Sequence, residues 1–175
     1  LNNIIVDFLF AVRPMNPTMK KSDINKVISE LLEFVKFELE EASVSIDCEF
    51  QQNLPKMDID EKYIKQALLN IINNSVAAMP DGGVIYFKTV KDEDFVHLYI
   101  CDTGMGISEE NMSKIFEPYF TTKQFGSGLG LTVVYKIIKE HGGDIIIESV
   151  EGEGTTFTIN LPVTQLDNRL LDWKG

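Results

Sequence analysis

QALLNIINNS, residues 66–75, carries side-chain amides at intervals of four residues, on Gln66, Asn70 and Asn74. In an α-helix this spacing puts all three amides on one face, and the leucine and isoleucine residues between them predict a helix from about Glu61 to Met79. Asparagine is a poor residue inside a helix, because its side chain competes for backbone hydrogen bonds. The amides therefore either form a solvated face or supply the neutral oxygen ligands that Mg²⁺ accepts beside phosphates and water.

A second segment, DTGMGIS, follows a predicted strand at residues 102–108. The carboxylate of Asp102 can accept a hydrogen bond from an exocyclic amine such as that of adenine, and Gly104 and Gly106 let the backbone approach a flat ring closely. Turns of the form Asp-x-Gly are common after strands. By itself, this segment indicates only a turn.

A third segment, GSGLGL at residues 126–131, opens a helix predicted from about Leu129 to His141. Backbone amides at the positive end of a helix bind phosphates; the alternative is a flexible loop. The glycine spacing and the lack of a preceding strand do not fit a dinucleotide-binding fingerprint. A protein-kinase glycine loop is also disfavoured, because no hairpin and no Val-Ala-Ile-Lys strand accompany the glycines.

The segment between these two, Ile107 to Gly126, is long for a loop inside a compact domain, which predicts a functional lid. One short helical piece is expected in it, from Glu109 to Ile115 behind a Ser108 cap. The segment contains FEPYFTTK at residues 116–123, whose aromatic side chains are either core residues or the apolar hinge of the lid.

Hydrophobic periodicity predicts the remaining elements. They are a helix from a Ser22-Asp23 cap to about Ala42 and strands at residues 44–50, 84–90, 95–101, 144–150 and 155–161. The order does not alternate strictly between strand and helix, so we expect a two-layer mixed sheet with helices on one face.

The composition narrows the classes of partner. A net charge of -11 disfavours nucleic acid and also repels ATP, so a nucleotide would have to be held by local amides and a cation. The apolar runs are far shorter than the roughly 20 residues that cross a bilayer, and no secretion signal opens the sequence. Cys48 and Cys101 lack ligand-like spacing and are predicted to be buried thiols of a protein in the reducing cytosol.

In their order and spacing, the segments resemble the conserved boxes of one protein family. From about Ser22 to Pro162 the chain resembles the ATP-binding catalytic domain of two-component sensor histidine kinases, in the superfamily of gyrase, the heat-shock chaperone, histidine kinases and MutL. QALLNIINNS is similar to the asparagine box, DTGMGIS to the first glycine box, FEPYFTTK to the phenylalanine box and GSGLGL to the second glycine box. EGEGTTF, Glu151 to Phe157, is similar to a weaker last element.

The resemblance implies an α+β fold, the Bergerat ATP-binding fold, which is a two-layer α/β sandwich with a mixed, mainly antiparallel sheet and helices on one face. Residues 1–13 would be the end of the dimerisation and phosphoacceptor hairpin, 14–21 a linker, 22–162 the catalytic domain and 163–175 a C-terminal tail. The phosphoacceptor histidine would lie upstream of Leu1, so His97 and His141 are expected to be structural.

Carried over residue by residue, the resemblance implies a Mg-ATP site. Asn74 would ligate Mg²⁺, and Asn70 would orient the metal or the phosphates as a catalytic residue. Asp102 would recognise the adenine amine, helped through water by Thr155, and Lys123 would reach the terminal phosphate as a second catalytic residue. The other expected cofactor-binding residues are Ala78, Gly104, Gly106, Ile107, Gly126, Ser127, Gly128, Leu129, Gly130 and Leu131.

The implied function is a protein histidine kinase that binds Mg-ATP, transfers the γ-phosphoryl group to a histidine on a helical hairpin and releases ADP. The expected partners are that hairpin, a response-regulator receiver domain and a second copy in a full-length homodimer, in the cytoplasm. In ATPases of the superfamily a glutamate at the position of Asn70 activates water, and asparagine has no basic lone pair for that task. A superfamily ATPase and a non-catalytic nucleotide-binding regulatory module remain as alternatives.

Overall fold

The computed structural model describes residues 15–121 and 128–164. Its elements in chain order are β1 (Lys20–Ser22), α1 (Ile24–Glu41), β2 (Val44–Phe50), β3 (Met57–Ile59), α2 (Glu61–Ala78), β4 (Gly83–Lys91), β5 (Phe95–Asp102), α3 (Glu109–Met112), α4 (Gly130–Glu140), β6 (Asp144–Val150) and β7 (Gly154–Pro162). Five strands form one sheet in the order β2-β4-β5-β7-β6. The β2-β4 pair is parallel and the other three pairs are antiparallel, which confirms the predicted mixed, mainly antiparallel sheet.

The helices cover one face of this sheet, as the sequence predicts. Strand β5 alternates between buried Val96, Leu98 and Ile100 on the helix side and partly exposed residues on the other side. Burial of side chains of this size stabilises the fold by about 1.5 to 3 kcal/mol each. The core therefore lies between the sheet and the long helices α1, α2 and α4.

The outer face of the sheet carries a shallow hollow of about 470 Å³, lined in part by Tyr86, Tyr99 and Cys101. Cys101 is only partly buried there, and Cys48 is exposed on the edge strand β2. The prediction that both thiols are buried is therefore wrong, because an outer face and an edge strand leave strand residues open to solvent. None of the helices in residues 15–121 and 128–164 has the length and hydropathy of a membrane span.

Two local features differ from the sequence prediction. The helix expected at Glu109 to Ile115 ends at Met112, and Ser108 makes no side-chain capping hydrogen bond. The chain then continues in turns, and Ile115 is buried. In addition, β1 pairs with β3 in a small antiparallel sheet, so the end of the predicted linker is held against the domain.

Asp60 fixes the start of α2 and connects it to two other parts of the chain. One carboxylate oxygen, Oδ1, accepts the capping hydrogen bonds from the amides of Lys62 and Tyr63. The other, Oδ2, accepts a hydrogen bond of 2.7 Å from the amide of Thr18. The Asp60 amide itself donates to Nε2 of His141 at 3.0 Å. Asp60 therefore ties the residues before β1, and the end of α4, to the helix that carries the asparagines.

The two histidines are held in opposite electrostatic settings. His141 is 1% exposed and its Nδ1 donates to the carbonyl of Ile137, while burial lowers its pKa below the ordinary value. His97 lies between Oδ1 of Asn160 at 2.7 Å and Oδ2 of Asp92 at 2.9 Å. The bond to Asn160, followed by the bond to Asp92, raises the pKa of His97. Both sets of contacts agree with structural roles for these residues.

We expect the pH dependence of stability to separate the two histidines. The folded-state pKa of His141 is lowered, so neutral His141 stabilises the folded state fully above the unfolded-state pKa of about 6.5. This contribution to the free energy of unfolding is lost as the pH falls below that value. The free energy of unfolding then changes by at most about 1.4 kcal/mol per pH unit for the uptake of one proton. The free energy of unfolding of His141→Gln, measured with urea between pH 5 and 8, should therefore vary less with pH than that of the parent.

His97→Gln serves as the control of opposite sign. Its raised folded-state pKa gives stabilisation that is complete below about pH 6.5 and is lost as the pH rises through the folded-state pKa. The variant should therefore lose more stability at pH 5 than at pH 8. Equal pH profiles for the parent and His141→Gln would contradict the buried neutral state of His141.

Candidate nucleotide-binding site

The asparagine segment and the second glycine segment meet at one contact. Asn70 is 8% exposed, and its Nδ2 donates to the carbonyl of Gly130, the first residue of α4, at 3.2 Å. Its Oδ1 accepts a hydrogen bond of 3.1 Å from Nε2 of Gln66, one turn earlier on α2. The amide-bearing face of α2 therefore lies against the amino-terminal end of α4, where the first backbone amides have no acceptor inside the helix.

Asn74 lies one helical turn beyond Asn70 on the same face of α2 and is partly buried. Leu129 and Leu131, on either side of Gly130, are buried and partly buried respectively. The structure thus brings Asn70, Asn74 and the start of α4 to the same part of the molecule. Lys123, Gly126 and Ser127, the other expected phosphate-binding residues, lie outside the described residues.

Asp102 lies at the end of β5, and three hydrogen bonds fix its carboxylate. Oδ1 accepts from the amide of Gly104 at 3.0 Å and from that of Thr155 at 3.2 Å. Oδ2 accepts from the hydroxyl of Ser75 at 2.8 Å. Asp102 is 6% exposed and Ser75 is fully buried.

Ser75 was missed by the analysis of the sequence, although it ends the QALLNIINNS segment. One signal was present: a serine at a core-facing position needs a hydrogen-bonding partner once it is buried. Its partner, 27 residues further along the chain, could be found only from the fold.

Thr155 connects Asp102 to the loop that follows it. The hydroxyl of Ser149 donates to the carbonyl of Gly154 at 2.8 Å and accepts from the amide of Ile107 at 2.8 Å. Since its only proton is used, the 2.9 Å bond between Ser149 and Thr155 must be donated by Thr155. Ile107 and Thr155, both expected cofactor-binding residues, are therefore linked through Ser149, a residue that the sequence analysis missed.

The first glycine segment packs on the end of α2. The amide of Met105 donates to the carbonyl of Ala78 at 2.9 Å, and a Cβ on Gly104 would lie 2.7 Å from the Cβ of Ala78. Gly106 has φ of +68°, and a Cβ there would overlap the carbonyl of Val150. Glycine is thus required at both positions for close backbone approach.

The phenylalanine segment meets the second glycine segment at Gly128. The amide of Tyr119 donates to the Gly128 carbonyl at 2.9 Å. Gly128 has φ of +66°, and a Cβ there would overlap the backbone of Tyr119. Close by, the hydroxyl of Thr132 on α4 donates to the carbonyl of Phe116 at 3.3 Å.

A second hollow, of about 360 Å³, reaches Asp102 and Thr155 from the outer face of the sheet, but Asn70, Asn74 and Gly130 do not line it. We place the candidate site on the helix side, because Ser75 on α2 contacts the Asp102 carboxylate from that side. There the carboxylate, the asparagines and the first amides of α4 are connected through α2. This arrangement offers an acceptor for an amine at one end and donors for phosphates at the other.

Residues 59–165 match the family model described as "Histidine kinase-, DNA gyrase B-, and HSP90-like ATPase", which covers more than half of the chain. The chain therefore belongs to this family of ATPases.

The relatives narrow this assignment. Sporulation kinase E of Bacillus subtilis (strain 168) is 35% identical over 167 residues, covering 94% of this chain and 22% of that protein. Sensor histidine kinase ZraS of Escherichia coli (strain K12) is 35% identical over 163 residues, covering 93% of this chain and 35% of ZraS. The chain thus spans between a fifth and about a third of the length of these two curated relatives.

Among solved structures, the catalytic domain of histidine kinase ThkA matches with a TM-score of 0.75 at 32% identity. The match covers 86% of this chain and 100% of the ThkA domain. ThkA in complex with response regulator protein TrrA has a TM-score of 0.79 at 27% identity, covering 93% of this chain and 47% of that chain. The domain is therefore a histidine kinase catalytic domain with the ATP-binding fold predicted from the sequence.

Two neighbouring glycines give a test of the local geometry. Gly128→Ala should lower the free energy of unfolding by about 2 to 4 kcal/mol, because the new Cβ would overlap Tyr119 and would require a left-handed backbone. Gly130→Ala is the matched control, since Gly130 is helical and its nearest neighbour would be Nδ2 of Asn70 at 3.9 Å. It should be neutral or stabilising by up to about 1 kcal/mol. Similar urea unfolding curves for the two variants would contradict the packing of Tyr119 on Gly128.

Proposed function

We propose that this domain binds Mg-ATP along α2, with the base at Asp102 and the phosphates at the start of α4, and transfers the γ-phosphoryl group to a histidine. That histidine lies on a helical hairpin of the full-length protein, and the phosphoryl group then passes to an aspartate of a response regulator. The observation that carries the proposal is the contact of Asn70 with Gly130, because it joins the amide face of α2 to a helix end that favours anions.

The base end of the site suits adenine. The carboxylate of Asp102 is already oriented by Ser75, Gly104 and Thr155, so it can accept a hydrogen bond from an exocyclic amine without rearrangement. Preorganisation of this kind reduces the entropy lost on binding. Gly104 packs against Ala78 at the end of α2, and Gly106 and Ile107 follow in the same loop, beside Val150 and Ser149. We assign these four residues, Ala78, Gly104, Gly106 and Ile107, to the base pocket.

The phosphate end suits a triphosphate with Mg²⁺. Because the chain has a net charge of -11, the phosphates must be held locally, by the amides at residues 128–131. Asn74 offers a neutral oxygen ligand, which fits an ion that takes its other ligands from phosphates and water. Within residues 15–121 and 128–164 no three His, Cys, Asp or Glu side chains are grouped to hold a metal.

The chemistry asked of the protein is mainly positioning. Mg²⁺ held beside Asn74 would supply positive charge that neutralises the transferred phosphoryl group. Asn70 holds the helix end that faces the phosphates, and without a basic lone pair it leaves water unactivated, which favours transfer to the imidazole of a histidine. We assign residues 1–13 to the upstream hairpin, 14–21 to the linker, 22–162 to the catalytic domain and 163–175 to a tail.

The partners follow from the same proposal. The hairpin must deliver the acceptor imidazole in line with the bond that breaks, and a receiver domain accepts the phosphoryl group afterwards. A receiver partner is supported by the complex of ThkA with TrrA, and we propose a homodimer and a cytoplasmic location for the full-length protein.

Thermal unfolding with nucleotide tests the binding step. ADP with Mg²⁺ should raise the midpoint of the parent, and both Asp102→Ala and Asn74→Ala should reduce this rise, the latter mainly when Mg²⁺ is present. Asn73→Ala is the matched control for Asn74→Ala, because Asn73 is the adjacent, exposed residue of the same helix. A rise in the midpoint that is the same in all four proteins would contradict the site.

The transfer step is tested with the longer protein that includes the hairpin. With radiolabelled ATP we expect an acid-labile phosphoryl group on a histidine of that protein. Rapid multiple-turnover hydrolysis by the isolated domain would instead indicate an ATPase. Undiminished ATP binding without transfer to the hairpin would indicate a regulatory module, and either result would overturn the kinase proposal.

A further inference from the structure

Ser75 is fully buried at the base end of α2, and its hydroxyl lies 2.8 Å from Oδ2 of Asp102. We propose that Ser75 is a positioning residue that sets the selectivity of Asp102 for a base bearing an exocyclic amine. This inference rests on the nucleotide site proposed above and assigns a specificity role within it.

The Asp102 carboxylate has one acceptor site that no residue occupies among the hydrogen bonds of the described residues. An ionised carboxylate has about four lone-pair sites, two on each oxygen. The amides of Gly104 and Thr155 occupy both sites on Oδ1, and the hydroxyl of Ser75 occupies one on Oδ2. One site on Oδ2 therefore remains for a ligand, and its direction is set by the other three donors.

The Ser75 hydroxyl can offer no proton to a ligand, because its single proton is committed to Asp102 and the residue is fully buried. The Asp102 carboxylate, which is 6% exposed, therefore presents an acceptor and no donor. A ligand amine gains a charge-assisted hydrogen bond there, whereas a ligand carbonyl oxygen meets like partial charge without a partner. Adenine has an amine at this position and hypoxanthine has a carbonyl.

Ser75 lies on the same helix as the asparagines. It directly follows Asn74 on α2, and Asn70 is little more than one turn away. The helix that presents the amides to the phosphates therefore also orients the carboxylate that accepts from the base. A rigid helix fixes the separation of these two groups, so a ligand must match both ends at once.

The experiment compares the binding of ADP and inosine diphosphate by calorimetry. The parent should bind ADP more tightly than inosine diphosphate. In Ser75→Ala the affinity for ADP should fall about fivefold to tenfold, the effect of losing one hydrogen bond that orients a charged acceptor, while the affinity for inosine diphosphate changes little. The ratio of the two affinities should therefore decrease.

Two further variants separate positioning from packing. Ser75→Thr keeps the hydroxyl and should restore most of the ratio. Ser22→Ala removes another buried serine, on β1 in the separate two-stranded sheet, and should leave both affinities unchanged. Urea unfolding of each variant verifies that it is folded at the temperature of the titration.

The outcomes distinguish this inference from the proposed function. If the parent binds neither nucleotide, the proposed function and this inference both fail. If the parent prefers ADP and Ser75→Ala keeps the same ratio, or loses affinity for both nucleotides equally, the proposed site stands and the role of Ser75 in selectivity is overturned.

Discussion

The hydrogen bond from the side chain of Asn70 to the carbonyl of Gly130 is the contact on which the site depends. It holds the amide face of α2 against the first residue of α4. A second contact, from the Asp60 amide to His141, joins the opposite ends of the two helices. Asp60 and Asn70 are ten residues apart along α2, and Gly130 and His141 are eleven residues apart along α4. Each spacing corresponds to about 15 Å along a helix, so the two contacts fit one antiparallel pair of helices. The two contacts hold the pair together as a support for the proposed phosphate end.

The proposed base end is connected to the same pair of helices. Ser75 links α2 to Asp102 on β5, and Thr155 and Ser149 connect that strand to the β6-β7 turn and to Ile107. Ser75, Asp102 and Thr155 are buried and Ser149 is partly buried, and their hydrogen bonds to one another fix the arrangement of this network. Because the domain is acidic as a whole, such local donors have to replace the long-range attraction that a basic surface would provide.

Much of this fold could be predicted because the elements have strong local signals. The period of four in α2, the alternation along β5 and the glycines before α4 each predict one type of element, and the strands of the five-stranded sheet and the long helices agree with these predictions. Ser75, Ser149 and the pairing of β1 with β3 were missed, since each depends on a partner distant in sequence. Cys48 and Cys101 were placed wrongly because alternation shows which residues share a face but not whether that face is covered. The roles expected for all the site residues stay predictions, and Lys123, Gly126 and Ser127 lie outside the described residues.

The most direct test of the account is an NMR titration of the assigned domain with ADP, first without and then with Mg²⁺. We predict that the amides of Gly104 and Thr155 shift with ADP alone, and that the Asn74 side chain and the amides of Gly130 and Leu131 shift further when Mg²⁺ is added. Shifts confined to Tyr86, Tyr99 and Cys101, in the hollow on the outer face of the sheet, would contradict nucleotide binding between Asp102 and the start of α4.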